Sequence, residues 1–123
     1  MVLLIYGKQT WVFPDAELPP KGENTIPGHE SLIVLNTGDI DANIRITLFF
    51  TDREPVNDIN VVVKAKRVRC LRTNERRDFG EHIPKIGEQY AIVLESDVPV
   101  VAQYGRADPR KVAFYTTMGF GCS

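Results

Sequence analysis

The sequence predicts an all-β protein: a single-domain antiparallel β-sandwich of about eight strands with little helix. Three observations carry that expectation. Apolar and polar residues alternate with period two in several stretches, and helical periodicity is nearly absent. Turn-forming residues interrupt the apolar runs roughly every ten residues. The chain has 123 residues, 43% hydrophobic and 25% charged, which suits one globular domain over residues 1–123.

Taken in order, Thr10 to Phe13 reads as a first strand. The stretch "PDAELPPKGENTIPG", residues 14–28, carries four prolines and two glycines and reads as a long polar loop. Ser31 to Asn36 is a short apolar run closed by "NTGDIDAN", and Asn43 to Thr51 alternates cleanly. In the latter, Ile44, Ile46, Leu48 and Phe50 share one face, and Arg45, Thr47 and Phe49 the other. These two runs are expected to form a hairpin around residues 37–42. Ile59 to Ala65 and Val68 to Leu71 extend the strand pattern, separated by a basic interruption. Residues 73–88 form a second polar, irregular segment. Tyr90 to Leu94 and Val98 to Gly105 read as two strands broken at "ESDVP", since Pro99 donates no ladder hydrogen bond. Val112 to Met118 is the last expected strand, and residues 119–123 a loose tail.

Charge and composition narrow the function classes. The net charge of −1 gives no global attraction to nucleic acid or an anionic membrane. Residues 64–77 hold seven cations against Glu75, a local excess without a helix-turn-helix pattern or interleaved aromatics, so no specific nucleic-acid partner is expected. The apolar run Val2 to Tyr6 is too short for a signal-peptide core or a membrane span. The expectation is a soluble cytoplasmic protein with Cys70 and Cys122 reduced. The histidines, His29 and His82, have no zinc-motif spacing, and no metal or cofactor is expected.

The remaining polar clusters each carry two readings. In "KAKRVRCLR", residues 64–72, Arg67, Arg69 and Leu71 share a strand face. The arginines suit an anion bidentately, or simply protect a solvated strand from edge pairing. In "FFTDREPVN", residues 49–57, Asp52 and Glu54 would converge as a carboxylate pair only if the chain bends there. The reading adopted is a rigid corner: Arg53 and Glu54 pair structurally, and Asp52 faces a ligand. In "QYGRADPR", residues 103–110, Gln103, Arg106, Asp108 and Arg110 suit either a sugar-like ligand or an inter-subunit salt-bridge network.

The blocks "LNTGDIDANIRITLFFTDREPV" and "VLESDVPVVAQYGRADPR", with Trp11, the "LPP" of residues 18–20 and the "HE" of residues 29–30, resemble the sensory rhodopsin transducer family. The resemblance covers roughly residues 9–118, and the spacing of the DREP and ESDVP blocks is its most specific part. It implies a compact all-β sandwich assembling as a four-fold homotetramer. It also implies small-molecule binding, with sugars or related polar metabolites as ligands. A photosensory member docks on the cytoplasmic side of a membrane rhodopsin, while most relatives occur without one. The family's shared polar set falls on Trp11, His29, Glu30, Asn36, Asp52, Arg53, Glu54, Arg67, Arg69, Arg72, Glu95, Ser96, Gln103, Arg106, Asp108 and Arg110. Residues 73–88 and the terminal "TTMGFGCS" depart from the rhodopsin-associated member, at places where partner contacts could sit.

The expected function is therefore a non-enzymatic module binding a sugar-like or anionic polar metabolite within a homotetramer. Trp11, His29, Glu30, Asp52, Arg67, Arg69, Gln103, Arg106 and Asp108 are the ligand-binding candidates. Arg53, Glu54, Arg72, Glu95 and Arg110 are the structural or interface candidates. The alternative is a signal-relay protein docking on a membrane receptor. Acid–base catalysis at Asp52, Glu54 and His29 ranks below both, because nothing in the spacing requires it.

Overall fold

The computed structural model describes residues 5–23, 25–110 and 113–122, with residues 113–118 described by backbone alone. Val112, the expected start of the last strand, lies outside the described residues, as do residues 2–4 of the N-terminal apolar run. The elements follow in chain order as β1 (Lys8–Glu17), β2 (His29–Asn36), β3 (Ala42–Phe50), β4 (Val56–Val63) and β5 (Arg67–Arg72). Then come α1 (Arg76–Phe79), β6 (Gln89–Asp108), β7 (Ala113–Met118) and β8 (Phe120–Cys122). All pairings between these strands are antiparallel, and α1 is a single four-residue turn.

The 20-residue β6 organises the molecule. Its first half lies in a sheet of order β4-β3-β6-β1-β8, and its second half pairs β2 and β7, with β5 outside β2. One strand thus passes from one layer to the other, a common way to turn the corner of a sandwich. The break expected at "ESDVP" does not occur. Asp97, Val98 and Pro99 lie between the last β6 residue paired to β3, Ser96, and the first paired to β2, Val101. Pro99 therefore sits where ladder partners change, so its missing N–H interrupts no pairing to β2 or β3.

Three further expectations are corrected. β1 runs on to Glu17, so the loop begins at residue 18 rather than 14. A bulge between Phe13 and Ala16 takes up Pro14 and Asp15, which is where a strand tolerates proline. Ser31–Asn36 and Asn43–Thr51 do not form a hairpin, because β2 pairs β5 and β6 while β3 pairs β4 and β6. Residues 37–41 instead cross between layers. The buried Asn36 amide builds that crossing: Nδ2 donates to the Ile40 and Val63 carbonyls, and Oδ1 accepts from the Gly38 N–H. Finally, residues 119–123 are not wholly a loose tail. Phe120–Cys122 form β8 against β1, with Trp11 opposite Gly121.

Two crossings at one end brace each other. The β4–β5 turn, where Lys66 takes a left-handed φ of 56°, binds Asp41 through the Ala65 N–H and Lys64 Nζ, and Asp39 through Lys66 Nζ. The inward residues of both layers fill one core. Ile44, Ile46 and Leu48 of β3 meet Leu32 and Val34 of β2, Leu71 of β5, and Ile92, Leu94 and Ala102 of β6. Each large apolar side chain so buried contributes about 1.5–3 kcal/mol. The alternation along Asn43 to Thr51 faces as its sequence predicts, with Phe50 packed at the margin.

Candidate functional site: an outer-face polar groove apart from a buried carboxylate network

Glu30, wholly buried on β2, is the centre of a closed network. Its Oε1 accepts from Tyr90 Oη at 2.7 Å and Thr73 Oγ1 at 2.8 Å. Its Oε2 accepts from the Glu17 N–H at 3.1 Å and from Tyr104 Oη. Tyr104 in turn accepts from Arg106 Nε at 3.1 Å, and Arg106 Nη2 donates to the Asp15 carbonyl. Strand parity makes this possible: Glu30, Tyr90 and Tyr104 all occupy inward positions, on β2 and on the two halves of β6. Burial first, then the Glu30 charge, pushes both tyrosine hydroxyls well above their usual ionisation range. Every oxygen lone-pair direction of the carboxylate is used within the protein. The network ties β1, β2, β6 and the 73–88 segment together and presents no acceptor to a ligand.

The open polar surface lies elsewhere. A groove of about 670 Å³ runs along the outer side of β3, β4 and the first half of β6, and ends against β5 and α1. Asn43, Arg45, Asn60, Glu95 and Asp97 line it, with Arg69, Arg77 and Ser96, and with Ile44, Val61 and Val62 as its apolar members. Arg45 and Glu95 are cross-strand partners and pair at 3.2 Å. Asp97 accepts from both the backbone and side-chain nitrogens of Asn43 at 2.8 Å, and those two bonds hold its carboxyl below the usual range. Arg69 is gripped between the Val62 carbonyl, 2.8 Å away, and the buried Asp78, 3.1 Å away. Asp78 also accepts the Arg72 N–H, which fixes α1 onto β5.

The sequence-predicted residues divide between these places. Of the ligand-binding candidates, Arg69 alone lines the groove, and Glu95, an interface candidate, lines it too. Glu30 and Arg106 meet in the buried network. Trp11 sits in the core with its indole N–H on the Val100 carbonyl at 2.8 Å, so its ring faces neither assembly as a stacking platform. His29 bonds the Pro27 carbonyl locally, and Arg67 is exposed and bonds the Lys66 carbonyl. Gln103 is half-buried on the outward side of β6, opposite Ile33. Asp108 binds Arg110, which also reaches Glu17, and these contacts raise the guanidinium's ionisation further. Arg72 contributes its backbone N–H to Asp78.

At the corner of residues 52–55, Arg53 does not pair with Glu54. It forks onto Glu88 with two bonds of 2.8 Å, reaches Asp52 at 3.0 Å, and stacks 3.7 Å over the Phe50 ring. Glu88 lies across the corner with both oxygens presented, whereas Pro55 keeps Glu54 extended. Asp52, highly exposed, is committed to Arg53.

Reading the sequence missed Asn43, Arg45, Asn60, Arg77 and Asp97 in the groove, and Thr73, Tyr90 and Tyr104 in the network. The outward parity of Arg45 was visible, but Glu95 fell in the expected break, and their meeting depends on β3 pairing β6, which alternation alone does not reveal. Among the described residues no cluster of three or more His, Cys, Asp or Glu is placed to hold a metal, and no helix is long and apolar enough to cross a membrane.

Fold and site together define a two-layer all-β domain with an open polar groove. The sequence profile of the family described as Anabaena sensory rhodopsin transducer matches residues 6–121. The chain belongs to that family. The crystal structure of Thermotoga maritima 1070 is similar at TM-score 0.82 and 35% identity, covering 94% of this chain and 96% of that one. The Anabaena sensory rhodopsin transducer is similar at TM-score 0.71 and 34% identity, covering 83% of this chain and 97% of that one. A comparison with curated proteins finds no significant match.

Proposed function

We propose that this member of the transducer family is a non-enzymatic, cytoplasmic sensing module that binds a small polar metabolite in the outer-face groove. The groove itself carries the reading. It concentrates guanidinium, carboxylate and amide groups on rigid strands, and the pairs Arg45–Glu95 and Asp97–Asn43 hold planar donors and acceptors in fixed orientation. Such groups exchange one partner for a ligand hydroxyl or carboxylate at little ordering cost. Family membership favours a sensing role over catalysis.

A homotetramer is the second part of the proposal. The outward side of the β5-β2-β6 layer favours it: Leu35 and Val68 face each other across the β2–β5 ladder, both exposed, with Cys70 beside them. An apolar sheet face of this kind suits burial against another copy. A membrane receptor would then meet an assembly rather than a single chain, in the relay role that the name of the Anabaena sensory rhodopsin transducer describes.

Thermal unfolding against millimolar neutral sugars, sugar acids and sugar phosphates tests the binding proposal. A binder present at a hundred times its Kd stabilises by about 2.7 kcal/mol. Glu95→Ala should erase that shift; a shift that survives it removes the groove as the site.

A further inference from the structure

A second hollow, of about 300 Å³, adjoins the groove between β4 and α1. Asn60 and Arg77 line both hollows, so the two form one continuous trough with these residues at the junction. The charges along the trough are unequally matched. Glu95 is bound by Arg45, Asp97 by Asn43, and Asp78 by Arg69 and the Arg72 N–H. Asp58 is bound by His82 Nε2 at 2.8 Å. Arg77 makes no ion pair among the described residues, and neither does its neighbour Arg76, which lines the second hollow. Among the described residues two carboxylates of the trough have no cationic partner: Asp97, held by the Asn43 amide, and Glu81, in the second hollow.

We infer that the ligand is a hydroxylated metabolite carrying one anionic group, with that group at Arg77 and its hydroxyls along the Arg45–Glu95 groove. This rests on the groove reading above and specifies its chemistry. A guanidinium fork beside an amide donor, Asn60, is a two-point receptor for the oxygens of a carboxylate or phosphate. Farther along, Arg45–Glu95 is neutral as a pair and Asp97 keeps its charge on the Asn43 amide, and together they offer donors and acceptors suited to hydroxyls. No aromatic side chain lines the groove, so recognition depends on hydrogen bonds and charge rather than on stacking against a sugar face.

Isothermal titration of the full chain with D-glucose, D-gluconate and D-glucose 6-phosphate separates the possibilities, using wild type, Arg77→Gln, Arg77→Lys and Glu95→Ala. The expected order places one or both anionic probes at least about tenfold tighter than glucose, with Arg77→Gln erasing that advantage and Arg77→Lys restoring part of it. A preference for gluconate assigns a carboxylate ligand, and a preference for the phosphate assigns a phosphorylated one. Equal affinity for all three, lost in Glu95→Ala but unchanged in Arg77→Gln, overturns the anionic inference and leaves the groove reading standing. Absence of binding by every probe, or binding indifferent to all three variants, overturns both.

Discussion

Glu30 shows how one residue can look like a ligand contact in sequence and serve architecture in the fold. A carboxylate with four internal donors leaves them orphaned when removed, and buried hydroxyls and amides without acceptors are costly. Glu30→Ala should therefore lower unfolding free energy by about 3 kcal/mol or more in urea titration. A loss below about 1 kcal/mol would mean that the network is incidental. Tyr90 and Tyr104 have folded-state ionisation raised above their unfolded value, so the stability they contribute is present below about pH 10 and lost as pH rises beyond it. Absorbance of phenolate should show these two tyrosines ionising together with unfolding, not before it. The polar character of Glu30 was legible from the "HE" block; its enclosure was not. Enclosure depends on Tyr90 and Tyr104, which lie 60 and 74 residues away in the chain and face inward only once β6 is seen to be continuous.

At the scale of elements, strand existence was readable and connectivity was not. Alternation located β3, one face of which packs on the core, and the valine-rich run from Ile59 located most of β4. Pro99 and Pro14 misled, since a proline in a strand pattern implies a break unless the strand changes partners or bulges there. The 37–42 turn signals were real, but the turn crosses layers rather than closing a hairpin. β8 escaped notice because three residues carry no periodicity. Its packing is nonetheless tight: a Cβ on Gly119 would lie 2.6 Å from Phe13 Cε1 and 2.7 Å from the Val12 carbonyl, and one on Gly121 would lie 3.2 Å from the Trp11 ring. Gly119→Ala should thus displace β8, cost about 1–3 kcal/mol and alter the fluorescence of Trp11, the sole tryptophan. Unchanged stability and emission would restore the loose-tail picture.

For the whole molecule, surface carboxylates set the acid limit. Asp41, through the Ala65 N–H and Lys64, Glu88, through Arg53, and Asp97, through Asn43, are all held below their ordinary values. The stability they contribute is complete above the ordinary carboxylate range and drains away as pH falls through the lowered values. Melting temperature should hold from neutrality to about pH 5 and fall progressively below about pH 4. Arg53→Ala should make that fall shallower by releasing Glu88. Assembly belongs to this scale too: sedimentation should give a tetramer, and Val68→Glu, which puts a charge in the apolar face beside Leu35, should break it.

The central claim is that the outer-face groove, and not the Glu30 network, is where a ligand binds. Two-dimensional amide NMR of labelled protein titrated with a stabilising sugar acid or sugar phosphate tests it most directly. The account predicts that saturable shifts cluster at residues 43–45, 60–62, 77 and 95–97. Shifts confined instead to Trp11, Glu30 and Arg106 would contradict it.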